Sequence, residues 1–273
     1  MGNGAEAVDA AVAPSGLRKR LVLCLLLRRG VFANSRNFTL ENIGDIDWII
    51  QYLNFEAIDE LVVLNVERTC KDTSGFAAEL RLLCRYCFVP VVAGGGVRTI
   101  GHFEALMDAG ADKVALNTAV FEDPAFVADA VDIYGSQSVV ASIDCRRVDG
   151  VPVAFTNDGT KNTRLDGVTA ARRAEALGVG EIFLTSIDRD GTGRGYDLEL
   201  VQSVSAAVGI PVIASGGVGQ FAHLVEGIVR GGASAVSAAN IFHFIGEGLI
   251  KAKQYVNDAG LDFPLWTFDR RAV

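Results

Sequence analysis

The chain has 273 residues, half of them hydrophobic, and a formal net charge of −8. That length suits one large α/β domain, since barrels of alternating strands and helices commonly run to about 250 residues. The acidic balance and the want of any Lys/Arg-rich run exclude nucleic acid as an expected partner, and the apolar run Leu21–Leu27, flanked by arginines, is far too short to span a membrane.

In chain order, the opening residues 1–16 (MGNGAEAVDAAVAPSG) are small and acidic, with neither a basic nor an apolar segment, and read as a flexible extension. Residues 17–273 then read as a single barrel domain. The expected strands are Arg20–Leu26, Glu60–Val66, Pro90–Gly94, Lys113–Asn117, Val139–Asp144, Glu181–Ser186, Pro211–Ser215 and Ala235–Ala239. Their near-continuous apolar runs suit strands buried on both faces of a parallel sheet. Helical patterns fall between them at Ile46–Phe55, Gly75–Cys87, Ile100–Ala109, Pro124–Tyr134, Asp166–Leu177, Leu198–Val208 and Ala222–Arg230. A hairpin-like insertion is expected at Val148–Thr156, after the fifth strand. Strands and helices in strict alternation favour a closed (β/α)8 TIM barrel over an open doubly wound sheet.

An internal repeat strengthens that choice. Residues 89–121 (VPVVAGGGVRTIGHFEALMDAGADKVALNTAVF) parallel residues 210–242 (IPVIASGGVGQFAHLVEGIVRGGASAVSAANIF). Each copy reads as strand, glycine turn, amphipathic helix and second strand, so the barrel divides into two similar halves. Glycine turns at the carboxyl ends of strands let an anion approach backbone N–H groups. A single GGG would mark no more than a tight turn; the pair, with Asn117–Thr118 and Ala239–Asn240 on the following strands, points to two phosphate grips and a substrate with a phosphate at each end.

Barrel chemistry sits at the carboxyl ends of strands and stability at the amino ends. Asp144 closes an apolar run and should face the mouth, where partial burial would tune it as a general acid or base. A helix cap or a salt bridge to Arg146 or Arg147 is the bland alternative. In the run TSIDRDGTG (185–193), Gly191 and Gly193 are suited to bringing backbone donors near an anion, while Asp188 and Asp190 are equally suited to capping the next helix. Arg20, Glu60, Lys113 and Glu181 gather two acids and two bases at the amino end; by charge pattern alone they form a ring of structural salt bridges. Five scattered cysteines, with Cys84-x-x-Cys87 lacking a second pair, fit reduced thiols in a cytosolic protein better than zinc. No metal and no cofactor is expected, and neither a P-loop nor a dinucleotide fingerprint is present.

From VVAGGGVRT through GADKVALNTA, GSQSVVASID, GEIFLTSIDRDGTGRGYD and IPVIASGGVG to AANIFHF, the sequence resembles the cyclase subunit of imidazole glycerol phosphate synthase. The resemblance covers nearly the whole chain. It implies a barrel that takes ammonia from a partner glutamine amidotransferase docked at its amino end and reacts it with a bis-phosphorylated ribulosyl substrate. It places one phosphate at Gly96, Asn117 and Thr118, and the other at Asp190, Gly191, Gly217, Ala239 and Asn240. Asp144 matches a catalytic aspartate, and Arg20, Glu60, Lys113 and Glu181 match the family's ammonia gate. The departures fall early in the chain. Leu26 stands where the family has its other catalytic aspartate, Asn65 and Asn240 replace an aspartate and a serine, and Arg36 is the nearest cation to the family's loop lysine. A leucine at this strand resembles a branch that supplies ammonia for amidating a bacterial surface sugar.

Overall fold

The computed structural model describes residues 18–50, 57–69, 71–239 and 248–264. Eight parallel strands close on themselves: β1 (Arg20–Arg28), β4 (Glu60–Asn65), β5 (Val91–Gly94), β6 (Lys113–Leu116), β7 (Val139–Val148), β10 (Glu181–Ser186), β11 (Val212–Ser215) and β12 (Ala235–Ala238). The last pairs with the first, Arg20 opposite Ala235, and β7 pairs directly with β10. The eight are the expected eight. Most differ at their ends by a residue or two, but β1 and β7 run on past Leu26 and Asp144, because each continues into an antiparallel arm.

Those arms are the main feature beyond the barrel. β1 turns at Arg29–Gly30 into β2 (Val31–Arg36) and β3 (Thr39–Asp45); β7 turns at Asp149–Gly150 into β8 (Val151–Thr156) and β9 (Lys161–Asp166). Both turns place two successive residues at positive φ, the geometry that matches the twist of a hairpin. The arms spring from strands on opposite sides of the barrel, so the half-barrel repeat extends to them. Leu26 begins the pairing of β1 with its arm, and Asp144 begins that of β7.

Between the strands run helices whose starts follow ordinary capping chemistry. Among them are α2 (Thr73–Cys84), α3 (Ile100–Asp108), α5 (Pro124–Tyr134), α6 (Gly167–Ala176), α7 (Leu198–Ser205) and α8 (Phe221–Val229), with α1 (Ile46–Ile49) and α4 (Thr118–Glu122) as short turns and α9 (Gly248–Asp258) closing the described chain. Asp72, Thr99, Asp123, Asp166 and Asp197 each accept a backbone N–H as N-cap. The cap before α7 is therefore Asp197, and neither Asp188 nor Asp190 serves it. The expected helix over 46–55 is described only as far as Ile50.

Two apolar zones result. One fills the space between strands and helices; the other is the barrel lumen, where Val22, Cys24, Val62, Val92, Ala115, Val140, Phe183, Ile213 and Ala235 interdigitate. Alternation along each strand sends every second residue inward. The lumen therefore ends in charge at the amino end and in a cavity at the other.

Candidate functional site

At the amino end the four expected charges meet. Lys113 Nζ lies 2.7 Å from Glu60 Oε1 and 2.7 Å from Glu181 Oε2, and Arg20 pairs with the other oxygen of each glutamate. The ring is closed. Glu60 is 1% exposed; burial pushes its carboxyl up, Glu181 adds to that, and Arg20 and Lys113 oppose it. Burial works against the charge of Lys113, but Glu60 and Glu181 outweigh it and hold its pKa above the usual range.

At the carboxyl end the strands open into a cavity of about 690 Å³. Asp144, Asn117, Thr118, Gly96, Asp190 and Ala239 line it, as does Leu26. Gly191 and Gly217 lie outside its walls, and Asn240 falls outside the described residues. Two sides contrast. Cys24, Leu26, Leu64, Phe183 and Ala239 make an apolar wall; Asn117, Ser142 and Asp144 make a polar one. The Asp144 carboxylate receives Asn117 Nδ2 at 3.1 Å and Ser142 Oγ at 3.5 Å. Neither nearby arginine neutralises it: Arg146 lies over the Phe155 ring, and Arg147 pairs with Asp197 and Glu199. Burial, then the charges of Asp158 and Asp190, push Asp144 up to about 7, against a smaller pull from Lys71. A carboxyl poised there can give or take a proton near neutral pH.

Both glycine turns have the backbone the repeat implies. Gly95 and Gly96 sit at φ +102° and +83°, and Gly216 and Gly217 at +90° and +109°. A methyl on Gly95 would lie 2.2 Å from the Asn65 carbonyl oxygen, and one on Gly216 would lie 2.7 Å from that of Ser186. Only glycine fits such a turn against the neighbouring strand. The Asn117 amide is committed to β7 and β8 through Ser142, Asp144 and Phe155, so in this arrangement its side chain orients Asp144.

The β2–β3 arm folds over the mouth. Ser35 Oγ donates to Asp190 Oδ2 at 2.5 Å, Phe38 N donates to the same oxygen at 3.1 Å, and Asn37 Nδ2 donates to the carbonyls of Ile187 and Asp188. Gly191 is tight for the same reason, with Ser35 O 2.2 Å from where its Cβ would stand. The Asp190 carboxylate thus anchors the arm.

Sequence reasoning missed four further residues around the cavity: Glu67, Lys71, Asp158 and Ser35. Glu67, 2% exposed, accepts from Thr69 and Arg68 and pairs with Arg28 and Arg29, and hydrogen bonds from Thr69 above all hold it down to about 2. It fixes the β4–α2 loop to the end of β1. Lys71 from that loop pairs with Asp158 from the β8–β9 turn at 2.7 Å. Only the Asn-Asp-Gly turn around Asp158 carried a local signal.

A closed (β/α)8 barrel with paired glycine turns and a partly buried carboxyl, Asp144, at the carboxyl ends of its strands places the molecule in the class of (β/α)8 barrels. Residues 20–246 match the histidine biosynthesis protein family. The chain belongs to that family, whose members are barrel isomerases and cyclases.

Proposed function

We propose that the chain is an ammonia-using synthase of the cyclase type that works with a glutamine amidotransferase and has diverged from imidazole glycerol phosphate formation, toward amidation of a surface sugar. One observation carries this reading: Leu26 lines the cavity across from Asp144, in the same walls as Gly96, Asn117, Thr118, Asp190 and Ala239. Leucine transfers no proton, and one general acid–base group contributes roughly 10²–10⁴-fold to a rate. The amino-end ring supports an ammonia route, since the lumen between it and the cavity is apolar. Phe88, 86% exposed just before β5, gives that end an apolar docking point for a partner.

Two measurements test the reading. Given the bis-phosphorylated ribulosyl substrate and excess ammonium, the protein binds it without forming imidazole glycerol phosphate. With its glutaminase, removing the charge of Lys113 or Glu181 lowers glutamine-dependent turnover relative to ammonium-dependent turnover; an unchanged ratio would sink the conduit. A working cyclase is the second reading, favoured by the pKa of Asp144 near neutrality.

A further inference from the structure

The cavity's cations are unevenly shared. Arg68, Lys71 and Arg98 line it; Arg68 reaches the Phe38 carbonyl of the arm and Arg98 pairs with Glu122. Lys71 lies directly over the first glycine turn: a methyl on Gly96 would be 2.7 Å from its Cβ and 2.8 Å from its Cδ. Its side chain is three-quarters buried and its ammonium reaches Asp158 at 2.7 Å. Asn157, next to Asp158, ties the β8–β9 turn to the same grip, through Thr118 Oγ1 at 3.4 Å and Arg98 Nη2 at 3.3 Å. In the same wall, His102 Nδ1, on the first turn of α3, is buried without a hydrogen-bond partner. The equivalent atom of the repeat, His223 Nδ1, accepts from Gly219 N at 3.1 Å. The first grip therefore holds an idle polar atom that its copy does not.

From this geometry we infer that Lys71 is a substrate-binding residue: it closes the Gly96–Thr118 grip on a phosphate, leaving Asp158 for the incoming anion. In the free protein Asp158 occupies the ammonium and competes with the ligand. The two loops approach because Glu67 pins the one and Asn157 the other. A phosphate seated on the Gly95–Gly96 backbone and the α3 N-terminus meets the Lys71 ammonium and displaces the Asp158 carboxylate from it. This inference rests on reading the first glycine turn as an anion grip and adds the side chain that makes it selective for charge.

Opposite effects from the two members of one ion pair test it. Inorganic phosphate is titrated into the full-length protein and into Lys71→Gln and Asp158→Asn, with binding followed by calorimetry and by amide shifts of Gly95, Gly96 and Thr118. Lys71→Gln weakens binding about tenfold or more, as expected for the loss of one charge-assisted hydrogen bond. Asp158→Asn tightens it severalfold, because the internal competitor is gone. A merely structural salt bridge would make both variants bind worse, and that result overturns the inference. So does Lys71→Gln binding like the parent protein while the Gly95–Gly96 shifts persist, an outcome that leaves the grip itself standing. Failure of the parent protein to bind phosphate at all overturns both.

Discussion

The two ends of the barrel treat their carboxylates in opposite ways. At the amino end Glu60 and Glu181 each hold two cations, and the four charges close into a ring. At the carboxyl end Asp144 has an amide and a hydroxyl and faces a wall built from Leu26, Leu64 and Ala239. Burial raises the pKa of both Glu60 and Asp144; at the ring Arg20 and Lys113 pull it back, while at the mouth Asp158 and Asp190 add to it. One end spends its charges on one another, and the other keeps one available. That division is the barrel rule of stability below and chemistry above, expressed in a handful of residues.

Breaking the ring should have the largest effect. Lys113→Met leaves two buried glutamates with one arginine, and removing one partner of a buried pair costs about 3–5 kcal/mol. Denaturant unfolding at pH 7 measures it, and a loss below about 1 kcal/mol would mean that the ring is solvated.

The mouth should respond in the other direction. Asp144 is raised from its unfolded value near 3.8 to about 7 in the fold. The folded state therefore binds more protons between those values, and stability falls as pH rises from about 4 to 7. Asp144→Asn removes that penalty. At pH 8 the variant should be more stable than its parent by up to about 4 kcal/mol, with the gap closing toward pH 4. A gap that widened on acidification would reverse the assignment. The smallest change is at the arm: Ser35→Ala removes one hydrogen bond to Asp190 and should cost about 1 kcal/mol, read as faster amide exchange in β2 and β3.

The barrel strands were legible because parallel strands buried on both faces are written as apolar runs, Leu21–Leu27 and Val139–Ile143 among them. The repeat made the two glycine turns legible as well, since glycine alone meets their positive φ. The arm strands β2 and β3 were not, because VFANSR and TLENIGD mix polar and apolar residues on half-exposed strands. Nor was Asp190 readable as the arm's anchor: its partners Ser35 and Phe38 stand about 150 positions away. The ring could be anticipated from single charges at strand starts, whereas Lys71 and Asp158 meet only because two separate loops fold over the same turn.

The proposed division of labour stands or falls on the single leucine at the mouth. The most direct measurement compares the parent protein with Leu26→Asp, each given the bis-phosphorylated ribulosyl substrate and excess ammonium, with imidazole glycerol phosphate quantified over time. The account predicts no product from the parent and measurable product once the second carboxylate is restored opposite Asp144. Clear turnover by the parent, unimproved by Leu26→Asp, would contradict it.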